Sequence, residues 1–199
     1  SKSTVWATTK PLRLQLTRSC QVHGKHIPLV VEDRRLGAFL SYNRKLTQSR
    51  ISRSLEECRR MCQRVETLPL PLMIRAQIVA NLILPKALYA CGVSPPGKKS
   101  LQSLRGAAAK AIWGQRNRWR ANEALFTLVV AGHRHDPVQA SYYLTIPTMR
   151  RFLGRHPDMW PLYAEVLDIR QHEIIHCGSP VNAFIEALTG ISASMNSPA

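Results

Sequence analysis

The feature that most constrains the fold of this chain is a two-faced helical pattern between residues 47 and 67. Apolar side chains recur there at spacings of three and four residues, at Ile51, Leu55, Cys58, Cys62 and Val65. This spacing places them on one face of an α-helix. Arginines occupy much of the remaining surface, at Arg50, Arg53, Arg59, Arg60 and Arg64. One face must therefore pack against a core, whereas the other face attracts anions.

Helical patterns also dominate the rest of the chain. The nearly apolar run at 72–83 predicts a central helix, and Pro85 predicts a break or a kink in it. Glycine and proline residues divide the remainder of the chain into shorter helices. We predict these over residues 101–114, 122–131, 137–144, 148–153, 161–175 and 180–188. Asp136 is the expected N-cap of the helix that starts at Pro137.

The first 46 residues show a different pattern. The segment Leu12-Arg13-Leu14-Gln15-Leu16 alternates apolar and polar side chains, which indicates a strand, and residues 4–7, 26–31 and 36–40 are further strand candidates. The predicted fold class is therefore α+β and mostly α, with a small antiparallel β-hairpin region followed by a multi-helix array. We expect segments at 1–46, 47–114 and 115–190, and a disordered tail at 191–199.

Charge indicates the class of partner. The chain has 28 Lys and Arg residues against 12 Asp and Glu, a formal net charge of +16, and 20 of the 28 cations are arginine. The planar guanidinium group suits phosphate oxygens and stacks on bases. Nucleic acid is therefore the favoured partner, although a basic surface can also be inert or can bind an acidic protein.

Composition also bears on the compartment. No apolar stretch approaches the ~20 residues that span a bilayer, and no signal peptide follows Ser1. The five cysteines are an odd number scattered through helical patterns, which disfavours a disulfide framework. We expect no membrane partner and an intracellular location, nuclear or cytoplasmic. Because the chain opens with Ser1 and not with Met, we also expect it to be a piece of a longer protein.

Two further segments carry candidate sites. The first interleaves cations with an indole, which suits phosphate contact and base stacking, unless the Trp covers the core; its residues are Arg116, Arg118, Trp119 and Arg120. The second is His172-Glu173-Ile174-Ile175-His176, whose histidines would share one helix face and could hold zinc with the glutamate as a base. An amphipathic helix accounts for the same residues, so no metal site is the favoured interpretation.

Four segments, in this order and at this spacing, resemble the later part of the reverse transcriptase of non-long-terminal-repeat (LINE-type) retrotransposons. They are Lys2-Ser3 before the strand Thr4-Val5-Trp6-Ala7, the hairpin Arg35-Leu36-Gly37-Ala38-Phe39-Leu40, the run at 68–89 ending in Leu84-Pro85-Lys86-Ala87-Leu88-Tyr89, and the helix at 100–114. The similarity covers residues 1–135. It implies the end of the palm with the primer-grip hairpin at 1–46, thumb-like helices at 47–114 and a helical connection beyond.

The resemblance also implies roles for particular residues. Lys2 would lie near the incoming nucleotide, and Leu36 and Gly37 would grip the primer end. An RNA template and a DNA primer would be the ligands, and the upstream palm and fingers of the same polyprotein would be partners. The family's paired aspartates, which hold two Mg²⁺ ions in the complete polymerase, would lie upstream of Lys2.

The residues present therefore predict a nucleic-acid-binding portion that has no catalytic residue or cofactor of its own and is inactive alone. The four aspartates of the chain are scattered, at Asp33, Asp136, Asp158 and Asp168. Two alternatives stay open. One is a basic helical adaptor or nucleic-acid-binding domain without catalysis, and the other is a zinc protein built on His172 and His176.

Overall fold

The computed structural model describes residues 7, 9–22, 25–30, 32–35, 38–41, 49–89, 91–114, 121–172 and 180–192. The chain divides into two compact units, Ser1–Thr47 and Gln48–Ala199. Helices dominate, so the mostly α class is confirmed. None of the described helices is both long enough and apolar enough to cross a membrane.

In the first unit, the described residues form helix α1 (Lys10–Ser19) and the short strands β1 (Gln21–Val22), β2 (Lys25–His26), β3 (Glu32–Arg35) and β4 (Ala38–Ser41). Strands β1 and β2 pair antiparallel, with Gln21 opposite His26. Strands β3 and β4 form a separate antiparallel ladder in which Glu32 lies opposite Ser41 and Arg35 opposite Ala38. Among the described residues these ladders are two separate two-stranded sheets, whereas the sequence predicted one small antiparallel hairpin region.

Helix α1 corrects one sequence prediction, since the alternating segment from Leu12 to Leu16 is helical and not extended. Pro11 lies in the first turn, where its fixed φ favours a helix and its missing N–H costs nothing. Later in the helix, the Thr17 hydroxyl donates to the Arg13 carbonyl at 2.8 Å. Five alternating residues are too few to distinguish a strand from a short amphipathic helix.

The first half of the second unit contains α2 (Ser49–Thr67), α3 (Leu72–Ile78), a π-helix (Val79–Ile83), α4 (Leu84–Ala87) and α5 (Lys98–Trp113). The apolar face that the sequence predicted for α2 is confirmed: Leu55, Cys58, Cys62 and Val65 are buried. This face packs against α5, which also contacts α8 (Pro137–Arg155). One core cluster therefore runs from Leu55 on α2 to Ala140 on α8.

The backbone stays helical through Pro85, where the sequence predicted a break or a kink. Proline has no N–H to give to the carbonyl four residues earlier. The preceding residues adopt the wider π-helical pattern, in which the Leu84 N–H reaches the Val79 carbonyl. Asn81, whose carbonyl faces Pro85 in an α-helical pattern, is exposed and can bond to water. The proline thus changes the hydrogen-bond pattern without ending the helix.

The second half of the unit contains α6 (Asn122–Ala124), a π-helix (Leu125–Val129), α7 (Gly132–His135), α8, a 3₁₀ turn (Pro157–Met159), α9 (Trp160–His172) and α10 (Pro180–Gly190). A second apolar cluster joins α8, α9 and α10 through Met149, Tyr163 and Phe184. Asp136 is the N-cap of α8, as predicted, because its side chain accepts from the Val138 N–H at 2.9 Å.

Helix α8 is continuous, although the sequence predicted separate helices at 137–144 and 148–153. It passes through Pro147 without interruption. The carbonyl that loses its donor belongs to Tyr143, an exposed residue, so water can satisfy it. The Thr145 and Thr148 hydroxyls donate to the carbonyls of Ser141 and Leu144 at 2.8 and 2.7 Å. A proline on the outer face of a packed helix is therefore tolerated.

Candidate nucleic-acid interface

The solvent-facing side of α2 carries a row of arginines. Arg53, Arg60 and Arg64 are exposed, and their spacing of seven and four residues aligns them along one line of the helix. Arg60 and Arg64 are one turn apart, which is about 6 Å along the axis, and Arg53 lies about 10 Å further back. The buried stripe on the opposite side fixes the orientation of this row, because it holds the helix against α5.

Two glutamates reduce the positive charge of this face, which the spacing of the arginines alone does not indicate. Glu56 accepts from Arg59 at 2.8 Å and lies 3.9 Å from Arg60. Glu57 lies 3.3 Å from Lys86 of α4. No carboxylate among the described residues lies within ion-pair distance of Arg53 or Arg64. These two arginines, together with the loosely paired Arg60, are the strongest anion contacts that α2 offers.

Several sequence-predicted site residues lie outside the described residues. These are Lys2, Leu36, Gly37, Arg116, Arg118, Trp119 and Arg120. Arg50 belongs to α2, but its side chain is outside the described part of the chain. The structure therefore brings Arg53, Arg60 and Arg64 together on one face and does not test the primer-grip pair or the stacking role of Trp119.

The cationic segment at 115–120 follows a firmly held helix end. The Nη2 atom of Arg75, on α3, donates to the Trp113 carbonyl at 3.1 Å, where α5 leaves carbonyls without partners. Gly114 has φ of 78° and ψ of 179°, a region that is essentially restricted to glycine. A Cβ atom at Gly114 would also overlap the Arg75 guanidinium. Arg75 is thus a structural arginine.

A second structural arginine holds the segment that comes after residue 120. The Nε atom of Arg105 donates to the buried Asp136 carboxylate at 2.8 Å, and its Nη1 atom donates to Glu123 of α6 at 3.2 Å. Its guanidinium also lies 5.5 Å from the centroid of the Phe126 ring. Arg105 is therefore committed to joining α5, α6 and α8. No sequence pattern indicated this role, because the partners are 18 and 31 residues away.

The buried thiols are not reactive groups. Cys58 and Cys62 are on the packed face of α2, and burial raises the pKa of Cys62 to about 12. Burial likewise raises the pKa of Cys58 and of Cys91. A thiol with a raised pKa stays protonated and is a poor nucleophile or metal ligand. The described cysteines, Cys20, Cys58, Cys62 and Cys91, are free thiols.

Metal ligands do not cluster in the described part of the chain, where no group of three or more His, Cys, Asp or Glu residues could hold an ion. The zinc candidate is not tested by this finding. The backbone of His172 ends α9, whereas its side chain and residues 173–179, including His176, lie outside the described residues. Asp136 is already bonded to Arg105 and to the Val138 N–H.

A second cationic face was not predicted from the sequence. Arg150, Arg151 and Arg155 are exposed near the C-terminal end of α8. The sequence predicted two helices here, so it did not place Tyr143 and the later arginines on one helix. The structure shows that they belong to the same continuous helix. The sequence did contain one indication of this cationic face: the 19 residues of α8 include arginines but no acidic residue.

Comparisons of this chain with known protein families, with curated proteins and with solved structures find no significant match. Function is therefore inferred from the residues and their geometry.

Proposed function

We propose that this chain is the nucleic-acid-binding end of the palm and the thumb of a retrotransposon RNA-directed DNA polymerase. In this proposal it holds an RNA template and a DNA primer, while paired aspartates upstream of Lys2 catalyse nucleotide addition. The primer-grip role of Leu36 and Gly37 and the role of Lys2 belong to the same proposal. They rest on the resemblance of the four sequence segments.

The observation that carries the nucleic-acid part of the proposal is the row Arg53, Arg60 and Arg64. A surface that only keeps a protein soluble does not require its cations to lie in a row, and lysine serves that purpose as well as arginine. Here three guanidiniums follow one line of a helix whose opposite side is locked into the core. Two of them have no carboxylate within ion-pair distance among the described residues, so their charge is available to an external anion.

The ligand that best fits this row is a duplex backbone. The row extends over about 16 Å of helix, counted as 11 residues at about 1.5 Å each. Successive phosphates along a strand offer negative charge over such a length. No aromatic side chain lies on the row, and arginine contacts to phosphates position a protein without reading base sequence. A thumb helix must hold any template and primer in this way.

The test is a salt titration of duplex binding by fluorescence anisotropy. The variant Arg53→Gln/Arg60→Gln/Arg64→Gln removes up to three phosphate contacts, so the slope of log affinity against log salt should fall by up to about 3, at ~0.9 per contact. Glutamine keeps a good helix former at each position. Affinities for duplexes of unrelated sequence should fall together, because phosphate contacts carry no sequence information.

The control removes the same charge from another exposed surface. Lys98, Lys99 and Lys110 on α5 are exposed, and only Lys98 has a described ion pair, a long one of 3.7 Å to Glu186. The variant Lys98→Gln/Lys99→Gln/Lys110→Gln should change the slope much less. Equal slopes for the two variants would show that total charge, and not the α2 row, governs binding. Undetectable duplex binding by the wild-type chain at low salt would favour the adaptor alternative.

A further inference from the structure

The outward face of α8 carries an exposed aromatic ring as well as arginines. Tyr143 is 56 % exposed, and Leu144 is 47 % exposed beside it. Arg150, Arg151 and Arg155 come about two to three turns later and are also exposed. At 3.6 residues per turn, Tyr143 and these arginines share less than half of the helix circumference. The opposite side of α8 is buried through Thr145 and Met149.

We propose that this face of α8 is a binding surface for a single strand of nucleic acid, with Tyr143 stacking on an unpaired base and the three arginines contacting phosphates. Cations interleaved with an aromatic platform are the composition of single-strand binding surfaces. The proposal extends the proposed function and depends on it only for the class of ligand. It concerns a different helix and a different form of nucleic acid.

Helix stability does not account for these arginines. A cation in the last turn of a helix is favoured by the macrodipole, but the effect fades within that turn. Only Arg155 lies in the last turn of α8. Neither Arg150 nor Arg151 has a described carboxylate within ion-pair distance, and α8 itself contains no acidic residue. No acidic side chain of α8 therefore neutralises the positive charge of this face, and the charge complements a chain of phosphates.

The exposed tyrosine favours a single strand over a duplex as the ligand of this face. Its ring lies 5.3 Å from the His133 ring, measured between centroids, with the two planes inclined by 47°. The histidine of α7 thus supports the ring on one side, and more than half of the residue remains open to solvent. A duplex keeps its base faces stacked inside, so an exposed ring gains little from it. An unpaired base offers a flat face to this ring.

The spacing is compatible with one strand lying along the helix. Tyr143 and Arg150 are seven residues apart, which corresponds to about 10 Å, and Arg151 and Arg155 are about 6 Å apart. A base that stacks on the tyrosine therefore belongs to a strand whose following phosphates lie near the arginines. The glycine at 154 carries no side chain on this face, and a Cβ atom added there would meet nothing within 4 Å.

The experiment measures binding of a fluorescein-labelled oligo(dT) strand by anisotropy across a salt series. The variant Arg150→Gln/Arg151→Gln/Arg155→Gln should lower the salt slope by up to about 2, at ~0.7 per contact for single strands. Tyr143→Leu should weaken binding by about 5- to 150-fold and leave the slope unchanged, because stacking releases no counterions. Tyr143→Phe keeps the ring and should bind like the wild type. Circular dichroism checks that each variant stays folded.

The α2 and α5 triple variants serve as matched controls on the same oligo(dT) strand, and each should lower the slope less than the α8 variant does. A slope that the α8 variant leaves unchanged overturns the inference, as does equal binding by the Leu and wild-type proteins. These failures can be distinguished from failure of the proposed function. The proposed function fails if the α2 variant leaves duplex binding unchanged, whatever the α8 variants do to single-strand binding.

Discussion

The Arg105–Asp136 pair allows a quantitative prediction about stability. Asp136 is 1 % exposed and accepts two hydrogen bonds, from the Val138 N–H at 2.9 Å and from Arg105 Nε at 2.8 Å. The first is an N-cap bond worth about 1 kcal/mol. The second is a hydrogen bond between charged groups, worth about 1.5–3 kcal/mol. Asp136→Ala loses both, so the free energy of unfolding should fall by about 2.5–4 kcal/mol.

Two milder variants separate these contributions. Asp136→Asn keeps one acceptor oxygen for the Val138 N–H, but its NH2 group cannot accept from Arg105 Nε, so the charged hydrogen bond is lost at a cost of about 2 kcal/mol. Arg105→Met leaves the buried carboxylate without its partner cation. We expect this variant to lower the free energy of unfolding by about 3 kcal/mol, the lowest value typical of breaking a buried ion pair. We expect the low end because the Arg105 side chain is 20 % exposed and water can approach the site.

The double variant Arg105→Met/Asp136→Asn tests the coupling directly. It contains no unpaired buried charge, so its cost should be smaller than the sum of the single costs by about 1–3 kcal/mol. Urea unfolding followed by far-UV circular dichroism gives each free energy, and an unchanged m-value checks that the variants unfold alike. Additive costs, or an Arg105→Met variant within about 0.5 kcal/mol of the wild type, would refute the reasoning.

Two further predictions concern a glycine and a buried thiol. Gly114→Ala should destabilise the chain by about 1–3 kcal/mol, because the residue has a positive φ and an added Cβ would overlap Arg75. Gly106 lies inside α5 with open space around it, so Gly106→Ala should stabilise the chain by about 0.5–1 kcal/mol in the same urea assay. Burial raises the pKa of Cys62 from 9.0 to about 12. Between these pH values the unfolded chain therefore loses the proton first, and the free energy of unfolding should fall as the pH rises. Urea midpoints measured across this range should decline less steeply for Cys62→Ala than for Cys20→Ala, and parallel declines would contradict the assignment.

Local patterns were sufficient for several elements of this chain. The stripe from Ile51 to Val65 determined both the helical state of α2 and the face that it buries, because apolar spacing and helix periodicity act within one element. The Asp136-Pro137 pair likewise determined where α8 begins, since an N-cap and an N1 proline act within one turn. The arginine row of α2 is a consequence of the same periodicity.

Tertiary structure decided what these local patterns could not. Pro147 predicts a helix break in sequence, yet α8 continues through it because the freed carbonyl is on the exposed side and both ends of the helix are packed. The alternation at Leu12 to Leu16 fits a strand or a short helix, and the chain forms α1 there. Sequence alone does not separate the roles of the arginines: Arg75 and Arg105 are structural, whereas Arg53 and Arg64 have no carboxylate within ion-pair distance among the described residues. The distinction depends on partners distant in the chain, and only folding brings them within hydrogen-bond distance.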